Sequence, residues 1–497
     1  MTVSRADLAD LARTNRMVPI TRTLFADAET PVGVYRKLAQ GRPGTFLLES
    51  AEPGRSFSRW SFIGVDAIAS LSTVDGEAVW TGDVPGGLPV SDDPLEVLGA
   101  AWRALKGPRL PDLPPLTGGF VGYLGYDVVR RLERLPDKAI DDLGFPELTM
   151  LLVTDLAAFD HHECNVVLVA NAIVHPAMGA ADLDAVYDGA IARLDAMQQA
   201  LAAPAPSTVA NVGVVAPKQA ESRTPPGEHE RAVELGIEAI QAGEAFQIVL
   251  GQRFELRTDA EPFDVYRVLR TLNPSPYMYM LRLDGFDIVG SSPEALVTVH
   301  SGQATIHPIA GTRKRGDTPE RDAQLVEELV NDPKERAEHV MLVDLARNDL
   351  GRVCEPGSVK VVEFGVVERY SHVWHIVSTV TGDVASGFDA LDVFKAAFPH
   401  GTVTGAPKVR AMELIDELEP VRRGIYAGAL GYLGPAGDLD VAITFRTAII
   451  RDGVAYVQAG GGVVADSVPA LEEMETRNKA RAVLQAIATA ETLRPVQ

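Results

Sequence analysis

The chain predicts an α+β fold in which large, mostly antiparallel sheets carry the molecule and helices flank them. Strand-like apolar runs follow one another closely in the first half, with few helical segments between them. From about Glu228 helical periods appear, but irregularly, without the strict strand–helix alternation of a parallel sheet. Neither an internal repeat nor a long coiled coil interrupts this texture.

Taken in order, FLLES, SRWSFIGVDAIASLST, GGFVGYLGYD and LTMLLVTDLAAFD read as strands. The last breaks at HHECN before VVLVANAIV resumes, which predicts an antiparallel hairpin. His161, His162, Glu163 and Cys164 then form the turn, and their spacing matches no zinc pattern. A helix over 181–202 has Leu183, Val186, Ile191, Leu194 and Met197 as its apolar stripe. The Ala-, Pro- and Ser-rich stretch 203–227 predicts a connecting segment between a region 1–202 and a region 228–497 packed with it as one body.

Beyond it, EHERAVELGIEAIQAGEAFQ is helical and IVLGQRFEL a strand; FDVYRVLRTL is a helix that the prolines of NPSPY end. Strands at YMYMLRL, FDIVGSS, ALVTVH and QATIHPIAG follow. Further helices are expected at 319–330, 334–346, 388–397, 408–418 and 470–492, and strands near 359–369, 372–381, 426–433, 441–450 and 453–459.

Composition narrows the function. A net charge of −22 over 497 residues offers no electrostatic footprint for nucleic acid and opposes an anionic membrane surface. Cys164 and Cys354 are the only cysteines, which fits a reducing cytoplasm. The N-terminus lacks a signal-peptide core, and no apolar run approaches a bilayer's thickness.

Two acidic pairs point to chemistry. Glu335 and Glu338, and again Glu472 and Glu475, stand three apart on predicted helices, so each pair shares a face where like charges repel. Such pairs are cheap on a wet surface and costly in a cleft unless a cation offsets them. The second pair follows AGGGVVADS, whose glycines let backbone approach a ligand, so magnesium between carboxylates and an anionic ligand is one reading and two solvated helix faces the other. GTVTGAPK misses the P-loop spacing and AGGGVVADS the dinucleotide fingerprint, which excludes ATP and NAD.

PIAGTRKRG, EHVMLVDLARNDLGRV, SHVWHIVS, FPHGTVTGAPKVRAMELI, IYAGALGYL, FRTAI and AGGGVVADSVPALEEMETRNKA occur in the order found in chorismate-utilising enzymes. With LLESAE and NPSPYMYM, the chain resembles the large synthase component of anthranilate synthase over nearly its whole length. That resemblance implies two facing, mostly antiparallel sheets flanked by helices. It also implies a magnesium-dependent lyase of tryptophan biosynthesis, which makes anthranilate and pyruvate from chorismate and ammonia. Relatives that add water carry a lysine where this chain has Gln247, and an amide cannot serve as that base. Aminodeoxychorismate synthases commonly carry a nucleophilic lysine where this chain has Ala310.

The resemblance further assigns roles. Glu338 and Glu475 would ligate magnesium, with Glu335 and Glu472 acting directly or through water. Tyr426, Arg446 and Gly462, with Gly460 and Gly461 beside it, would grip the enolpyruvyl carboxylate, and Lys479 would lend charge near the ring carboxylate. Arg446 is expected within a strand. Thr402 would line the wall, and His375 would be the acid/base group, with His372 on the opposite face of its strand and His339 in packing or support. Neither cysteine has a nucleophile's setting, so a separate glutamine amidotransferase subunit would supply ammonia. Glu49, Ser50, Asn273, Pro276, Tyr277 and Met278 would form a tryptophan feedback site.

Overall fold

The computed structural model describes residues 3–50, 59–205, 209–213, 215, 218, 220–369 and 373–495. His372 and the end of the LLESAE motif, Ala51 and Glu52, lie outside the described residues.

The expected α+β architecture is present. Hydrogen bonds run unbroken through 21 strands, and every ladder among the described residues is antiparallel. The predicted hairpin forms between Leu148–Asp160 and Asn165–Ile173, and the HHEC residues make its turn. Leu148–Asp160 is buried along its whole length, as a continuous apolar run sandwiched on both faces should be.

Among the described residues two strand ladders, besides the single bridge Ile140–Val421, join the first region to the second. Thr45–Glu49 lies against Tyr277–Arg282, with Glu49 opposite Met278, and Gly119–Leu124 lies against Ala429–Leu433. The apolar cores cross the same boundary: Trp102 and Phe120 share one with Phe394 and Tyr426, and Leu8 and Leu194 share another with Tyr266 and Ile487. Fully burying side chains of this size stabilises by roughly 1.5–3 kcal/mol each.

Helices begin where sequence chemistry tells them to. Asp332 caps Pro333–Gly351 by accepting from the Lys334 and Glu335 amides at 2.9 and 3.3 Å, and Pro333 fills the first position. Pro469 opens Pro469–Ala490 in the same way. Pro407 stands one position outside Lys408–Leu418, as its cap residue.

Two expectations change. The run 441–450 is not one strand but two, Leu439–Ile443 and Thr447–Arg451. Hydrogen bonds from Ala427 N to Thr444 O (2.8 Å) and Thr444 N to Gly428 O (2.9 Å) turn the chain between them. Arg446 therefore sits in a break, with a left-handed φ of +52°, rather than inside a strand. Apolar alternation cannot reveal such a turn. The strand expected near 453–459 likewise runs further, through the glycine run Gly460–Gly462, as Val454–Val463.

Candidate active site

The site is assembled where Val454–Val463 pairs with Gln247–Arg257, placing Gly462 opposite Val249, Gly461 opposite Leu250 and Gly460 opposite Gly251. Here the glycines have a steric reason. A Cβ at Gly460 would come within 2.8 Å of the Tyr426 hydroxyl, at Gly461 within 3.0 Å of Glu472 Oε2, and at Gly462 within 2.4 Å of Gln247 Nε2. Three predicted site side chains thus press against one stretch of bare backbone.

At the open end, Gln247 donates from Nε2 to Glu338 Oε1 at 3.2 Å. Glu472 accepts from the Ser467 hydroxyl at 2.7 Å. Burial raises both Glu338 and Glu472 above the usual carboxyl value, and the neighbouring carboxylates, Glu335 and Glu475 respectively, push the same way. Lys479 pairs with Glu475 at 2.8 Å and donates to the Gly460 carbonyl at 2.9 Å. Glu335 is taken by Arg313 at 2.8 Å, so two of the four glutamates, Glu335 and Glu475, already stand in ion pairs. Hard oxygen donors with raised carboxyl values fit magnesium by their chemistry. Among the described residues no three His, Cys, Asp or Glu already converge on one point, and Lys479 and Lys334 are the positive charges acting on Glu338 and Glu472.

The closed end is dry. His375 is buried on the strand Val373–Asp383 and its Nδ1 lies 3.0 Å from the Gly311 carbonyl. A carbonyl only accepts, so Nδ1 carries the hydrogen and a neutral His375 has its lone pair on Nε2. Burial pushes the imidazole down to about 4 despite that bond, with Arg446 adding to the fall.

Glu294 is the residue the sequence did not offer. It is buried between two strands, and burial pushes its carboxyl up to about 8, against the opposing pull of Thr402 and Arg446. Thr402 Oγ1 lies 3.3 Å from each of its oxygens. Arg446 therefore acts on both Glu294 and His375. A lone glutamate in SSPEAL reads as a turn residue; only its burial marks it.

Two buried groups tie these pieces together. Arg423 donates to the Val403 carbonyl at 2.6 Å and the Val249 carbonyl at 2.7 Å, and lies over the Tyr426 ring at 5.6 Å. Glu419 pairs with it and accepts from the Gly251 amide at 2.8 Å. His339, as packing, meets Ser378 at 2.6 Å.

A second, separate group gathers the other predicted residues. The Glu49 carboxylate is held by Arg270 at 2.8 and 2.9 Å and by the Tyr266 hydroxyl. Asn273 ends the helix Pro262–Leu272 and donates to Ser291 at 3.3 Å; Pro276 and Met278 are buried, and Tyr277 is half-buried. Among the described residues the buried Ser50 hydroxyl has no hydrogen-bond partner.

With this geometry in place, the comparisons are specific. Residues 43–485 match the family model for chorismate binding enzymes. Anthranilate synthase component 1 of Mycobacterium bovis is 57% identical over 501 aligned residues, covering 99% of this chain and 97% of the relative. That of Arthrobacter globiformis is 50% identical over 98% of this chain and 93% of its own length. The crystal structure of anthranilate synthase component I from Streptococcus pneumoniae superposes with a TM-score of 0.76 at 34% identity, covering 93% of this chain and 99% of that one. A menaquinone-specific isochorismate synthase from Escherichia coli, 19% identical with a TM-score of 0.67 over 97% of each chain, shares the fold. The chain belongs to the chorismate-binding enzymes, in the anthranilate synthase component I family.

Proposed function

We propose that the protein converts chorismate and ammonia to anthranilate and pyruvate. One observation carries the choice of nucleophile. Gln247, at the meeting point of Glu338 and Gly462, presents an amide where a water-adding enzyme needs a base. Buried Ala310 likewise offers no nucleophile to the substrate ring.

The residues then divide the work. Arg446, Tyr426 and the backbone of Gly460, Gly461 and Gly462 orient the enolpyruvyl carboxylate, and Lys479 offers charge near the ring carboxylate. Glu338 and Glu475, with Glu472 near them, would hold magnesium, which would supply charge stabilisation for the ring carboxylate when bound. Glu294 is protonated at neutral pH and gives its proton to the departing ring hydroxyl, which leaves as water while ammonia bonds to C2. Thr402 holds that carboxyl in place. His375, neutral with its lone pair on Nε2, takes the C2 proton; the C2–H electrons restore the ring's aromaticity as the ring C–O bond breaks. The released enolpyruvate takes up a proton to become pyruvate, and the proton shed by the added ammonium returns Glu294 to its acid form.

The ammonia comes from a separate glutamine amidotransferase subunit. Supporting this, burial raises the Cys354 thiol to about 11, so it is no activated thiolate, and Cys164 is an exposed turn residue. Tryptophan inhibits at the second group, where the unpartnered Ser50 hydroxyl would bond its polar end beside Pro276 and Met278. Regions 1–202 and 228–497 act as one body joined by 203–227, a view the shared strand pairings support.

Incubating the chain with chorismate, ammonium and magnesium should give anthranilate fluorescence and an equal amount of pyruvate. Isochorismate, or a non-aromatic amino product alone, would overturn the assignment. The latter outcome would place the chain with aminodeoxychorismate synthases.

A further inference from the structure

The side chains of Arg423 and Glu419 form an ion pair only 1% and 5% exposed, and it is set into a gap in the sheet. The strand Gln247–Arg257 is flanked along one edge by Val454–Val463. On the other edge Gly405–Ala406 covers Gln247 and Ile248, and Glu221–Ser222 covers Phe254 and Glu255. Between those two ladders no strand among the described residues meets the edge, so buried backbone groups there need another partner. The ion pair supplies it. Arg423 Nη2 donates to the Val249 carbonyl at 2.7 Å, and Glu419 Oε1 accepts from the Gly251 amide at 2.8 Å.

The same guanidinium reaches out of the gap. Its Nη1 donates at 2.6 Å to the carbonyl of Val403, which ends the turn Gly401–Val403. In that turn the Thr402 hydroxyl donates to both Glu294 oxygens at 3.3 Å. On the other side Val249 lies opposite Gly462 and Gly251 opposite Gly460. The guanidinium carbon also lies 4.8 Å from the Tyr126 ring centre and 5.6 Å from that of Tyr426. Arg423 Nε and Nη2 meet the two Glu419 oxygens at 2.9 and 2.6 Å, which locks the fork in one orientation. Burying two charges costs desolvation that their attraction roughly offsets, so stability alone does not account for the pair.

Resting on the proposed reaction with Glu294 as proton donor, we infer that Arg423, held by Glu419, is a positioning residue. It stands in for a missing strand and fixes the Thr402 turn, and with it Glu294, against the glycine backbone that receives the substrate carboxylate. Its charge is not what Glu294 feels; Arg446 is the cation acting on that carboxyl.

The test uses the full chain with chorismate, ammonium and magnesium, free ammonia held constant, and reads kcat and chorismate KM per folded molecule below each variant's melting temperature. Arg423→Lys keeps the charge beside Glu419 but has a single nitrogen for acceptors arranged around a planar fork. Releasing the turn should lower kcat about 100-fold, the effect of a misplacement of about 1 Å. KM should change less than about threefold, because the glycine strand keeps its own ladder. The alkaline limb of kcat should stay near the Glu294 value of about 8. Arg423→Met combined with Glu419→Leu leaves neither charge buried alone, and carries the same expectation where Arg423→Lys does not fold. A purely structural pair would lower the melting temperature and leave kcat per folded molecule parent-like, which overturns the inference. So does a loss confined to KM, or a fall in kcat that comes with a shifted alkaline limb. Parent-like turnover in Glu294→Gln would instead overturn the reading of Glu294 on which it rests.

Discussion

The two ends of the candidate site differ in one physical variable, their access to water. At the closed end Glu294 and His375 are 5% and 9% exposed, and their ordinary acid/base values are inverted: the carboxyl is neutral to about 8 and the imidazole neutral down to about 4. At the open end Glu475 is 47% exposed beside Lys479 at 46%. Proton transfer benefits from a dry cavity where burial retunes the groups. An exchangeable ion and an ammonia molecule need an entrance. The buried and the exposed group are tied to one another through Arg423, which bonds the Val403 carbonyl beside Thr402 and the Val249 carbonyl opposite Gly462.

The largest expected effect strikes the closed end. Glu294→Gln should lower turnover by about 100- to 10,000-fold, and added magnesium should not restore it. Full rescue by magnesium would erase the distinction between the two ends. At the open end, Glu338→Gln should raise the magnesium concentration for half-maximal rate by at least about tenfold, with folding nearly unchanged. Wild-type turnover across a magnesium titration would remove Glu338 from the ligands. Glu475→Gln carries the same expectation, and because it also releases Lys479, its chorismate KM should rise too.

Gln247→Lys sharpens the comparison from within the open end. A lysine there should weaken amination and admit some water addition, read as isochorismate beside anthranilate. Unchanged amination kinetics would remove Gln247 from the residues that select the nucleophile. Ser50→Ala, in the second group, should weaken tryptophan inhibition roughly fivefold, the equivalent of one hydrogen bond of about 1 kcal/mol. Uninhibited turnover should stay near normal, and equal inhibition constants in parent and variant would deny Ser50 an energetic role.

The smallest effect is on stability. Glu294 has its folded value raised from 4.5 to about 8, so its contribution is full below 4.5 and is lost as pH rises through about 8. His375 is depressed from 6.5 to about 4, so its contribution is present above 6.5 and is lost as pH falls toward about 4. Glu294→Gln should flatten the alkaline decline of the melting temperature and leave the acid limb alone. An unchanged alkaline decline would mean that Glu294 does not titrate there.

The same contrast explains what could be read from the sequence. The open end was legible because its parts are local: glutamates three apart on a helix, and a glycine run beside them. The motif order supplied Arg446, Tyr426 and His375, but not the backbone break that holds Arg446 at positive φ. Glu294 was missed because its character comes from burial by segments more than 100 residues apart in the chain, as the Thr402–Glu294 bond shows with a separation of 108. Spacing cannot report what covers a carboxyl. The strand texture was legible throughout, since alternation and turn residues are local; the pairing of Thr45–Glu49 with Tyr277–Arg282 is not, and it is that pairing which brings Glu49 opposite Met278.

The central claim is that two different groups at the dry end move the two protons. Rapid-quench product analysis of Glu294→Gln and His375→Ala with chorismate, ammonium and magnesium tests it most directly. The account predicts that His375→Ala accumulates the non-aromatic amino intermediate while anthranilate formation falls, and that Glu294→Gln forms neither. Accumulation of that intermediate by Glu294→Gln, with none from His375→Ala, would contradict it.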